Sequence, residues 1–125
     1  MSERLSPEAI AAFVASASPE VQMLARAVRA RLLEVFPDAI ETAEGRDFGY
    51  GFDRGYKGLV FTISLKKHGV NLGVFGGGAL ADPDGLLRGT GKLHRHVDVA
   101  DPAVLDDPRL LTLLEEALAK RRPNH

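Results

Sequence analysis

Apolar positions recur along this chain with two periods, and the switches between them divide it into elements. Val21, Leu24, Val28, Leu32 and Val35 step by three and four, so they share one face of a helix. Ser18-Pro19-Glu20 opens that helix with a capping hydroxyl and a proline at the first helical position, and Pro37 stops it. Arg26 and Arg29 then fall on the solvent side. Ser6-Pro7-Glu8 repeats the start signal and predicts a shorter helix to about Ala15. From Ile40 the period becomes two. Ile40 to Glu44 reads as a short strand, and Phe48, Tyr50 and Phe52 put aromatics on one face, as core residues or as a ligand platform. In Gly58 to Lys66, Leu59, Phe61, Ile63 and Leu65 point one way and Thr62, Ser64 and Lys66 the other, and Lys67-His68-Gly69 turns into a partner strand, Val70 to Phe75.

No periodicity survives from Gly76 to Lys92, which predicts a long loop, and loops of that length in small domains often carry function. Alternation returns at Leu93 to Val99, with Val97 and Val99 on one face and His94 and His96 on the other. Asp101-Pro102 and Asp107-Pro108 are further start signals, and Leu110, Leu111, Leu114, Ala117 and Leu118 form the stripe of a closing helix with Lys120, Arg121 and Arg122 at its negative end. One-sided strands imply a sheet that is wet on one face and therefore antiparallel. The expected fold is α+β: an antiparallel sheet of about five strands with N-terminal helices and a C-terminal helix packed on one face, residues 1–125 forming a single domain.

Composition narrows the chemistry. The chain lacks cysteine, which removes disulfides, zinc-thiolate sites and thiol catalysis. Met1 to Ala17 has no basic segment followed by a long apolar run, and no window reaches the roughly 20 apolar residues of a membrane span, so a cytoplasmic location and no membrane partner are expected. A net charge of −1 argues against a general nucleic-acid binder. Between Lys66 and His96, however, five lysines and arginines face two aspartates, a local +3.

That basic stretch holds the first candidate site, Arg88 to Val97. Closely spaced glycines let amides converge on an anion, and Lys92, Arg95 and protonated His96 supply countercharge. The spacing is not that of a nucleotide P-loop, since five residues separate Gly85 from Gly91 and Leu93 follows Lys92. The bland alternative is a turn shaped by glycines with solvated cations beside it. His94 and His96 share a face and form half of a metal site, with His68 from the preceding turn and Asp82, Asp84 or Asp98 as further ligands, although Lys92 and Arg95 oppose a cation there. Ser64 or Thr90 with His96 and an aspartate make a conceivable triad, but such residues occur in almost any chain.

Val70-Asn71-Leu72-Gly73, Gly78-Ala79-Leu80, Asp82-Pro83, Gly85-Leu86-Leu87, Gly89-Thr90-Gly91-Lys92 and Arg95-His96-Val97 together resemble the YdhG-like family, a widespread bacterial group with a domain of unknown function. Asp98 departs from the lysine usual there. The resemblance implies a small α+β fold related in outline to frataxin and brings in iron as an alternative cofactor, although no dense acidic helix face is present. Three functions are therefore expected in order: a non-enzymatic module binding a small anion through Asn71, Gly89, Thr90, Gly91, Lys92, Arg95 and His96; a frataxin-like iron or metal chaperone using His94, His96 and Asp82; and a structural loop that pins the last strand or makes a homodimer contact.

Overall fold

The computed structural model describes residues 3–89, 91 and 94–123, with Tyr56 described in its backbone alone. Helices α1 (Pro7–Val14) and α2 (Pro19–Val35) precede strands β1 (Ile40–Glu44), β2 (Asp47–Gly51), β3 (Leu59–Leu65), β4 (Val70–Phe75) and β5 (His94–Val99), and α3 (Pro108–Arg121) closes the chain. The strands form an antiparallel sheet in sequence order, β1-β2-β3-β4-β5. The α+β fold expected from the two periods is the fold adopted. No helix among the described residues is long and apolar enough to cross a membrane.

Each α-helix starts as its sequence dictates. Ser6 Oγ accepts from Ala9 N–H, Ser18 Oγ from Val21 N–H and the Asp107 carboxylate from Arg109 N–H, each followed by proline at the first position. These caps satisfy amides that helices leave unpaired. Asp101-Pro102 starts a short 3-10 turn, Pro102–Asp106, because the next cap, Asp107, follows only six residues later. On α3 the buried stripe is Leu110, Leu113, Leu114, Ala117 and Leu118; Leu111 is exposed, since steps of three and four from Leu110 arrive at Leu113 and Leu114.

The helices cover one face of the sheet, where Phe48, Tyr50, Phe61, Ile63, Leu72, Val74 and Val97 are buried against Leu24, Val28, Leu32 and Leu114. Phe13 of α1 stacks on Phe48 with ring centroids 3.8 Å apart, and Phe36 packs on Phe52 at 4.9 Å. The alternating aromatics are therefore core. Leu59 departs from the predicted face. The β2–β3 register slips between Tyr50 and Gly51, a bulge that places Leu59 with Thr42, Thr62 and Phe75 around a hollow on the open face and buries Val60 instead.

Arg29 also departs from the pattern. It is turned into the fold, donating from Nε to Glu41 Oε2 at 2.6 Å and from Nη2 to Oε1 at 2.9 Å. Glu41 is a buried charged residue that further accepts from Tyr50 Oη at 2.7 Å and from Leu5 N–H at 2.9 Å. Burial alone would raise the Glu41 carboxyl, but the Arg29, Leu5 and Tyr50 bonds outweigh it and hold the group below its ordinary range. Burial first, then the Glu41 bond, push the Tyr50 hydroxyl far above its ordinary value. The network ties the N-terminal segment to the sheet, where Glu3 bridges Ile40 and covers the outer edge of β1.

Candidate functional site

The glycine-rich connection between β4 and β5 has more structure than a loop without periodicity suggests. Gly77–Ala79 forms a 3-10 turn, and Asp82 to Gly85 a tight turn closed by Gly85 N–H to Asp82 C=O at 3.1 Å. The Asp82 side chain organises the leucine pair beyond the turn: Oδ1 accepts from Leu86 N–H at 2.9 Å and Oδ2 from Leu87 N–H at 3.0 Å. A short carboxylate capping its own downstream backbone is the usual local role of aspartate in turns, and it explains why Asp82 tolerates a left-handed φ of 43°. Leu86 and Leu87 then pack against the core.

This geometry delivers Arg88 to the free edge of β5. Arg88 N–H donates to His96 C=O at 2.7 Å and His96 N–H to Arg88 C=O at 3.1 Å, an antiparallel bridge that pairs Arg88 with β5 in the manner of a hairpin. Paired residues of such a bridge project to the same face, so Arg88 stands beside His96. The end of α3 braces the start of the connection, with Lys120 Nζ donating to Ala79 C=O at 3.2 Å, while Arg121 Nη2 donates to Lys57 C=O in the β2–β3 connection at 2.9 Å.

Strand alternation sets Arg95 and His96 on opposite faces of β5, and the hairpin brings them together again at the edge. Gly89 has a φ of 105°, and a Cβ placed on it would lie 3.7 Å from Arg95 Cδ and 3.7 Å from His96 Nδ1. Arg95 Nε donates to Gly91 C=O at 2.5 Å, which folds the guanidinium back over the hairpin. His96 Nε2 lies 3.2 Å from Asp98 Oδ1. Asn71 stands opposite Asp98 on β4, next to the Gly73–His96 pair. Arg88, Gly89, Gly91, Arg95 and His96 thus gather along the first half of β5, whereas Asn71, paired with Asp98 toward the His68 end of the ladder, is not brought to Arg95 and Gly91 as expected; Thr90 and Lys92, also expected there, lie outside the described residues, as does Leu93, the expected first residue of β5.

The other candidates are dispersed. His94 faces Phe75 with ring centroids 4.0 Å apart, at the opposite end of the β4–β5 ladder from His68, which precedes Val70. Both Asp82 oxygens are occupied by amides. Among the described residues no three of histidine, aspartate and glutamate are grouped as a metal would require. Ser64 Oγ donates to Asp47 Oδ1 at 2.6 Å, on the other side of β4 from His96.

One feature of the surface is not legible in the sequence. An open cleft of about 950 Å³ lies where the α1–α2 connection meets two strand turns, and Arg46, Lys66, Lys67 and His68 line it. Lys66-Lys67-His68 is visible in the chain as a basic turn, but its meeting with Arg46 depends on which sheet end each turn occupies. Compared with family models, curated proteins and solved structures, the chain matches none.

Proposed function

We propose that this chain is a non-enzymatic, small-anion-binding module of YdhG-like type, holding its ligand at the hairpin on the β5 edge. The observation that carries the reading is the approach of Arg95 and His96 to one point beside Gly89, each 3.7 Å from the position a Cβ would take. Arg88 adds a second guanidinium on the His96 side through its backbone bridge. A glycine with no side chain, flanked by cations, leaves room for backbone amides and charged donors to face a phosphate or carboxylate together, and such charge-assisted bonds are the strong ones.

Thermal unfolding with inorganic phosphate, pyrophosphate and citrate tests it. A ligand at about a hundred times its Kd stabilises a protein by roughly 2.7 kcal/mol, a readable rise in Tm. The expected result is stabilisation of the wild type by at least one of these anions, reduced in Arg95→Ala and His96→Ala and partly kept in Arg95→Lys. Stabilisation indifferent to all three substitutions, or none at millimolar anion, removes the hairpin as the site.

A further inference from the structure

The cleft at the other end of the sheet has a two-part character. Ala12, Phe13, Ala17 and Leu65 give it an apolar lining, while Arg46, Lys66, Lys67 and His68 are exposed around it with Glu20 as the single acid. Antiparallel order explains the assembly. The β1–β2 turn carrying Arg46 and the β3–β4 turn carrying Lys66 to His68 fall at one end of the sheet, and the connection from α1 to α2 passes over the same end. Among the described residues none of these four side chains forms a salt bridge, although acidic and basic residues are nearly balanced in the chain as a whole. Phe13 is held in place by its stack on Phe48, so the lining is anchored to the core.

We infer that this cleft is a second binding site, for a small amphiphilic anion: a carboxylate or phosphate head attached to an apolar chain or ring. The cations match the head, the Phe13 and Leu65 surface matches the body, and the volume lies within the range of small-molecule sites. The hairpin on the β5 edge lies at the opposite end of the sheet and takes no part in it. An acyl chain presented free and one presented by a membrane share this chemistry; the open cleft, large enough to take in a whole small ligand, favours the free molecule.

Fluorescence of anilinonaphthalene sulfonate, titrated into the full chain and displaced by dodecanoate, decides the matter, with dodecanol as the uncharged control and phosphatidylglycerol vesicles as the membrane arm. Saturable binding displaced by dodecanoate and not by dodecanol is expected. It should weaken by at least about ten-fold in Lys66→Glu combined with Lys67→Glu, and it should weaken with added salt, as attraction between exposed charges does. Arg46→Glu, an exposed change in a different turn, should weaken it independently, with far-UV circular dichroism confirming the fold of each variant. Absence of saturable binding, equal displacement by dodecanol, or an affinity unchanged by these charge reversals overturns the inference. Binding to vesicles without binding of dodecanoate assigns the cations to a membrane surface and also overturns it. Arg95→Ala separates the two sites: displacement by dodecanoate that persists in that variant belongs to the cleft, and displacement lost in it belongs to the hairpin.

Discussion

Arg88 and His96 exchange two backbone hydrogen bonds, of 2.7 and 3.1 Å, and so close the free edge of the sheet with the same residues that assemble the candidate anion site. The opposite edge is covered in kind, where Glu3 bridges Ile40 of β1. Unpaired edges invite association with another chain, so these two bridges protect the sheet at both ends. The architectural and ligand-binding readings of the glycine-rich connection therefore converge on one hairpin: pinning the last strand is what places Arg88, Arg95 and His96 around Gly89.

Gly89→Ala should destabilise the protein by about 1–3 kcal/mol, the cost of forcing a side chain into a left-handed conformation that only surrounding structure can hold. The φ of 105° makes the strain independent of available space. Urea unfolding measures it, and a change within error would mean that the hairpin relaxes without cost.

Asp82→Ala removes the acceptor of both Leu86 N–H and Leu87 N–H. A loss of about 1 kcal/mol is expected, similar to that of a helix cap. Hydrogen exchange should accelerate at those two amides and at Arg88, whose bridge depends on the turn. Unchanged exchange there would show that the leucines hold the turn unaided.

Glu41→Gln should cost about 3 kcal/mol, because it leaves Arg29 facing a neutral partner in a site built for charge. Tyr50→Phe removes one donor to the same carboxylate and should cost about 1–2 kcal/mol. The two losses should be less than additive in a double-mutant cycle, since both act on one carboxylate.

Acid sensitivity arises from the same group. The folded-state pKa of Glu41 is depressed below its ordinary value of 4.5, so the stability it contributes is present above that value and is lost as pH falls through the lower, folded one. Urea midpoints measured downward from pH 6 should decline in the wild type, and Glu41→Gln should flatten the decline. An equal slope in both proteins would assign the acid sensitivity to other carboxylates.

Gly51→Ala should destabilise by about 1–3 kcal/mol, the usual cost of overpacking. A Cβ there would meet Gly58 C=O at 2.7 Å, a backbone group that cannot swing aside as a side chain could. Thermal melting reads the effect, and a neutral result would mean that the bulge between Tyr50 and Gly51 opens readily.

Much of the fold is legible in the chain because its signals are local. Serine or aspartate before proline marks every α-helix start, and period-two runs locate all five strands. Leu59 escapes the pattern because a bulge inverts alternation, and nothing in the β3 residues announces where the neighbouring strand slips. Periodicity puts Arg29 on the solvent side because it gives a helix face but not the groups that stand opposite it. A lone glutamate in β1, Glu41, becomes its partner through packing across the fold.

The candidate sites divide along the same line. Sequence alone determined that Gly89, Arg95 and His96 are close along the chain, since a basic, glycine-punctuated stretch needs no partner to be recognised. Tertiary structure decided that Arg95 and His96, sent to opposite faces by strand alternation, meet again at an edge. It also decided that Arg46 joins Lys66, Lys67 and His68 over Phe13. Those arrangements depend on strand order and register, which hydrogen bonds between distant segments establish and which leave no mark on any one segment.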